Sequence, residues 1–208
     1  VTEDEPVTVE ASSTNPSGSD SSRRSAPTIA VCAMGKRPFT AIAQRWIADL
    51  GRAGSTVRDH RAVVSPREDV VDDLNGGADV VIYLGHGRTR GWNGYQTIRQ
   101  NHLDASPSIR PVSAVLAFAC STLERDDGTS FGASLVASGR ASSYLGWPSP
   151  LPLDEGLAVA DLFVDSLMRG APTIGELLAT VQRCELRQSE RDVVAECRII
   201  GDASAALI

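Results

Sequence analysis

Aromatic residues make up only 5% of the 208-residue chain, so it lacks the stacked ring surfaces on which single-stranded nucleic acids are held. Positive charge is also short: 20 Lys and Arg stand against 26 Asp and Glu, a formal net charge of -6. A chain with that balance does not seek nucleic-acid phosphates as a whole. The four cysteines, Cys32, Cys120, Cys184 and Cys197, form no CxxC pair, and no His/Cys cluster has the spacing of a zinc site. No metal and no cofactor is expected. Spacing leaves a Cys184–Cys197 bridge open, although a domain of this size buries a core without disulfides. No apolar run approaches the roughly 20 residues that cross a bilayer. The opening VTEDEPVTVE has neither the basic start nor the apolar run of a secretory signal. These absences point to a cytoplasmic chain with no membrane and no nucleic-acid partner, whether whole or part of a longer protein.

What is present falls into two parts. Residues 1–27 are rich in Ser, Thr, Pro, Asp and Glu and hold almost no large apolar side chain. Such a segment cannot bury enough surface to offset its ordering entropy, so disorder is expected there. From residue 28 to 208 apolar runs alternate with helical patterns. TIAVCAM (28–34), DVVIYLG (79–85), SAVLAFAC (113–120) and ASSYLGW (141–147) read as strands, the first three as buried ones. STVRD (55–59) and residues 197–200 are weaker candidates. Helices are expected over 40–53, after Ser65-Pro66, over 129–138, over 154–169 and after Thr173. Ser65 with Glu68, and Thr173 with Glu176, have capping-box spacing, and Gly76-Gly77 and Gly170 stop their helices. The alternation predicts an α/β domain: a mostly parallel sheet of about six strands with helices on both faces, three layers in all.

In open sheets of this kind, chemistry gathers beyond the carboxyl ends of the strands. The strand before Gly85 runs straight into His86-Gly87, and the strand before Ala119 runs straight into Cys120-Ser121. If those strands are neighbours, His86 and Cys120 emerge at one edge. A free thiol is mostly protonated at neutral pH, and a nearby imidazole can take its proton and later return it to a leaving amine. Acyl transfer also needs donors for the oxyanion. Gly87, without a side chain, and Cys120 offer backbone N–H groups for that role. Taken singly, a strand-end Cys is a small core residue and a His between glycines a turn residue; the pairing carries the functional reading.

These residues resemble the caspase-like cysteine peptidases, most closely the gingipain type and the related CHAT domains. The resemblance rests on VVIYLGHG, on AVLAFACST, on Trp92 shortly after the His-Gly, and on FGASLVASGRASSYLGW, TIGELL and the late GDAS. It covers about residues 28–208. The caspase nucleophile motif QACxG is absent, FACST standing in its place, and the family's Gly-Asp-Pro is here Gly201-Asp202-Ala203. The resemblance implies a three-layer caspase-like fold and a cysteine endopeptidase that cuts protein or peptide substrates with a Cys-His dyad. His86 would be the base and acid, and Cys120 the nucleophile. It also implies a specificity pocket beside the cysteine. Trp147 could wall it by stacking on a basic side chain, with Asp154 and Glu155 pairing to the charge. Against this, Trp147 reads equally as core and the two acids as helix N-terminal charge. A basic preference would make Arg23-Arg24 a self-processing site, against the plainer reading of two solvated arginines.

Other readings have less support. GHGRTRG misplaces the third glycine of a dinucleotide loop, and no GxSxG elbow exists for a serine hydrolase. His60 and His102 lack partners at readable spacing and are expected at the surface. The rival from a different class is a caspase-like scaffold or regulatory module that binds a protein partner without cutting it. Oligomeric state is not legible, and the loop 88–111 is a candidate lid or substrate wall.

Overall fold

The computed structural model describes residues 26–124 and 129–207. Nearly all of the tail expected to be disordered, with Arg23-Arg24, lies outside the described residues. The apolar runs become strands: β1 (Thr28–Ala33), β3 (Val80–Leu84), β6 (Val112–Phe118) and β7 (Ala141–Gly146), joined by β2 (Thr56–Arg61) and β8 (Arg198–Gly201). Two short strands, β4 (Gly87–Arg88) and β5 (Gly91–Trp92), form a hairpin of their own. The helices are α1 (Phe39–Arg52), α2 (Arg67–Asp72), α3 (Gln100–Leu103), α4 (Phe131–Ala137), α5 (Leu153–Met168), α6 (Ile174–Gln182) and α7 (Gln188–Glu196). A single π-turn over Asp73–Gly77 prolongs α2 and contains Gly76, whose φ of +109° a side chain would resist.

The main sheet has the order β2-β1-β3-β6-β7-β8. All neighbours are parallel except β7 and β8. Strands β1, β3 and β6 are continuous apolar runs because both of their faces are covered. Ile29, Val31, Val80, Ile82, Leu84, Leu116 and Phe118 pack against α1, α5, α6 and α7. Ala30, Cys32, Val81, Tyr83, Val115 and Ala117 point to the other face, against α2, α3 and α4. Each large apolar side chain so buried contributes about 1.5–3 kcal/mol, which is why the strands with two covered faces are the most legible in sequence.

Caps explain two of the helix starts. Ser130 Oγ accepts from Ala133 N–H, and Thr173 Oγ1 accepts from Glu176 N–H. The cap expected of Ser65 is not made. Pro66 is the N-cap residue of α2, and Ser65 Oγ is bound instead to Asp69 and to His60 Nδ1. The helix expected after Thr173 is two helices, α6 and α7, and α5 with both of them closes one face of the sheet. All four cysteines are free thiols, so the bridge left open between Cys184 and Cys197 is not formed. Among the described residues no helix is long and apolar enough to cross a membrane, and no three His, Cys, Asp or Glu cluster as a metal site.

Candidate active site

Strands β3 and β6 pair in parallel with Leu84 opposite Phe118. The chain therefore leaves both strands at the same edge and in step, and His86 and Cys120 each follow two residues beyond that last pair. Both line one open-mouthed cleft. His86 is exposed and Cys120 half-buried. The His86 ring meets the edge of Phe39 at 5.3 Å between centroids. Phe39 opens α1, so the loop after β1 supplies the third side of the site.

The His86 loop is held from beneath. Tyr83 Oη donates to the His86 carbonyl at 2.9 Å and accepts from Gly94 N–H at 3.1 Å. Asn93 N–H also donates to the His86 carbonyl, at 2.9 Å. The Tyr83 ring stacks on Trp92 with centroids 4.2 Å apart and planes 4° from parallel. Burial pushes the Tyr83 hydroxyl far above its ordinary range, so it stays a neutral donor. Trp92, singled out in the sequence only as a neighbour of the His-Gly, is thus a buried brace for that loop. Among the described residues no hydrogen bond reaches the His86 ring.

The Cys120 loop is held from the side. At Ser121 the chain takes φ +53°, unusual for a residue with a side chain, and so turns sharply off the sheet. Ser121 N–H donates to the Ser149 carbonyl at 3.0 Å, and Leu123 N–H to the Trp147 carbonyl at 3.1 Å. The linker between β7 and α5, with prolines at 148, 150 and 152, therefore runs as a strap beside the cysteine. Its Leu151 N–H donates to Cys120 Sγ at 3.3 Å.

The two expected oxyanion donors are differently placed. Among the described residues no acceptor takes the Cys120 N–H. Gly87 lies opposite Trp92 in the small ladder, between the bonded positions His86–Asn93 and Arg88–Gly91. Alternation along an antiparallel ladder turns its N–H outward, away from the partner strand.

The expected specificity residues are not in this cleft. Trp147 is buried, donating from Nε1 to the Val193 carbonyl at 2.7 Å and packing among Phe118 and Phe163. Asp154 is exposed in the first turn of α5. Glu155 lines a second pocket across the strap, with Asp192, Glu196 and one edge of Trp147. Neither histidine set aside as a surface residue stands free. His60 is buried, its Nε2 2.6 Å from Asp73 Oδ2 and its Nδ1 2.9 Å from Ser65 Oγ, an arrangement that ties β2 to the end of α2. His102 Nδ1 accepts from Arg99 N–H at 3.1 Å, and burial with the nearby Arg67 and Arg99 charges lowers its pKa. The residues that sequence reasoning missed are Phe39, Leu151, Leu153 and Leu157, all lining the cleft. Only the Pro-x-Pro-x-Pro spacing around Leu151 hinted at a rigid strap there.

A mostly parallel three-layer sheet that presents a histidine and a cysteine at adjacent strand ends defines the class of caspase-like cysteine peptidases. The sequence model of peptidase family C25 matches residues 25–208, and the chain belongs to that family. No curated protein matches the sequence. Among solved structures, the Arg-specific cysteine proteinase gingipain R superposes with a TM-score of 0.71 at 13% identity, over 86% of this chain and 47% of the other. A complex of the pro- and mature domains of Porphyromonas gingivalis RgpB gives 0.67 at 13%, over 86% and 48%. The Geobacter sulfurreducens protein GSU0716 gives 0.52 at 12%, over 88% and 97%. At these identities the likeness is one of fold. The chain spans about half the length of the gingipain chains it matches.

Proposed function

We propose that this domain is a cysteine endopeptidase that hydrolyses peptide bonds in protein or peptide substrates, with Cys120 as nucleophile and His86 as general base and acid. The observation that carries the reading is the shared cleft at the ends of β3 and β6. Cys120 Sγ attacks the scissile carbonyl carbon as its proton passes to His86. The carbonyl oxygen, now negative, meets the open N–H of Cys120 and the outward N–H of Gly87. As the tetrahedral centre collapses, the C–N bond breaks and His86 gives its proton to the leaving amine. Water, deprotonated by His86, then attacks the thioester and frees Cys120.

A preference for a basic residue before the cut bond would need a carboxylate in the sulfur's own cleft, whereas Glu155, Asp192 and Glu196 line a second pocket across the strap. The cleft that holds the pair has no carboxylate in its wall. The dyad is tested with a library of peptides and the variants Cys120→Ala and His86→Ala. Loss of all cleavage in both, with unchanged thermal stability, is the expected result. Cleavage that survives Cys120→Ala removes the assignment. Biological activity that survives it, with no cleavage by the parent protein, favours a binding module instead.

A further inference from the structure

We infer that the cleft at Cys120 takes a large apolar side chain, leucine- or phenylalanine-like, from the substrate residue whose carbonyl is attacked; this rests on the peptidase reading above. Its walls are Phe39, Leu84, Phe118, Leu151, Leu153 and Leu157, and its floor is Gly85, His86, Ala119 and Cys120. Apart from His86 itself, no ionisable side chain other than the thiol enters. A guanidinium or ammonium placed there would lose its water with no carboxylate to receive it. An aliphatic or aromatic group gains by the same transfer. The residue bearing the attacked carbonyl has its Cα bonded directly to the carbon that joins the sulfur. Its side chain is therefore the one nearest a pocket floored by that sulfur.

The cavity is built, not left over. Gly156 sits in the first turns of α5, where glycine costs helix stability, and a Cβ there would stand 2.7 Å from Leu151 Cγ. The glycine lets Leu151 lie down on the helix and form the wall, and the Leu151 N–H anchors that wall to Cys120 Sγ. Leu153, 48% exposed, leaves an apolar lip at the mouth.

The test uses the full chain with peptidyl acyloxymethyl ketones that differ only in the residue next to the ketone: Leu, Phe, Arg, Asp or Ala. Labelling of Cys120 is followed by intact mass. The Leu and Phe probes are expected to react about tenfold or more faster than the Arg, Asp and Ala probes. Arg fastest, or equal rates for all five, overturns the inference while leaving the peptidase reading in place. No labelling by any ketone, although iodoacetamide alkylates Cys120, overturns both. A second variant, Leu153→Glu, alters an exposed residue and so leaves the core intact. It is expected to raise the Arg rate relative to the Leu rate about tenfold. A ranking that Leu153→Glu leaves unchanged places the substrate side chain elsewhere and overturns the inference.

Discussion

The backbone of Gly87 lies directly against that of Cys120. A Cβ on Gly87 would stand 2.6 Å from the Cys120 carbonyl oxygen, 2.7 Å from Thr122 Cγ2 and 2.8 Å from Ala119 Cβ. The loop that carries the histidine and the loop that carries the cysteine are therefore in contact through main chain, and the glycine sets how closely they approach. A cysteine and a histidine placed by backbone contact have less freedom than a pair placed by long side chains.

Gly87→Ala tests that spacing. The new methyl meets a carbonyl oxygen that no rotamer change can move aside, so the loops must part. We expect a stability loss of about 1–3 kcal/mol and a fall in kcat/KM of about 100-fold, as displacements near 1 Å produce. Thermal melting and steady-state kinetics on the variant check both. Parent-like values in the variant would mean the loops are not held as described.

Tyr83→Phe tests the brace beneath His86. The substitution keeps the stacked ring but removes the hydroxyl that donates to the His86 carbonyl and accepts from Gly94 N–H. The buried Gly94 N–H loses its acceptor, at a cost of about 1–3 kcal/mol, while the His86 carbonyl keeps only Asn93 N–H. With His86 less fixed, kcat is expected to fall about tenfold or more with KM little changed. A change in KM alone would assign the hydroxyl a different role.

The four thiols are expected to differ in reactivity. Cys32 and Cys197 are buried, and burial pushes both thiols up; at Cys32 the Asp73 and Asp59 charges push the same way. A raised pKa means less thiolate at pH 7–8, and burial also denies access to the reagent. Brief treatment of the native chain with iodoacetamide, followed by peptide mapping, is expected to modify Cys120 and Cys184 and to spare Cys32 and Cys197. Equal modification of all four would contradict the packing of β1 and of the α7–β8 junction.

Trp147 separates a structural role from a role in substrate binding. Trp147→Ala is expected to cost about 3–5 kcal/mol as a core cavity, and Trp147→Phe about 1 kcal/mol through loss of the bond to the Val193 carbonyl. The ranking of the ketone probes should not change in Trp147→Phe. A changed ranking at unchanged melting temperature would return the residue to the specificity pocket.

The sequence by itself determined the elements that obey one rule throughout. Runs such as VVIYL and AVLAF are apolar at every position because both faces of their strands are covered, so pattern alone revealed β3 and β6 and the two residues that follow each. From there the His-Gly and the strand-end Cys could be named before any geometry was known. Only the tertiary structure decided what surrounds them. His60 looked solitary because Asp73, 13 residues on, reaches it only when the end of α2 packs on β2. Trp147 and Glu155 were expected beside the sulfur because they lie close to it in the predicted strand order, yet the three-proline strap between them keeps both out of the Cys120 cleft. It buries the indole and sets Leu151, Leu153 and Leu157 around the sulfur instead. Local pattern reports which side chains are apolar; which of them face a shared cavity depends on contacts between segments far apart in the chain.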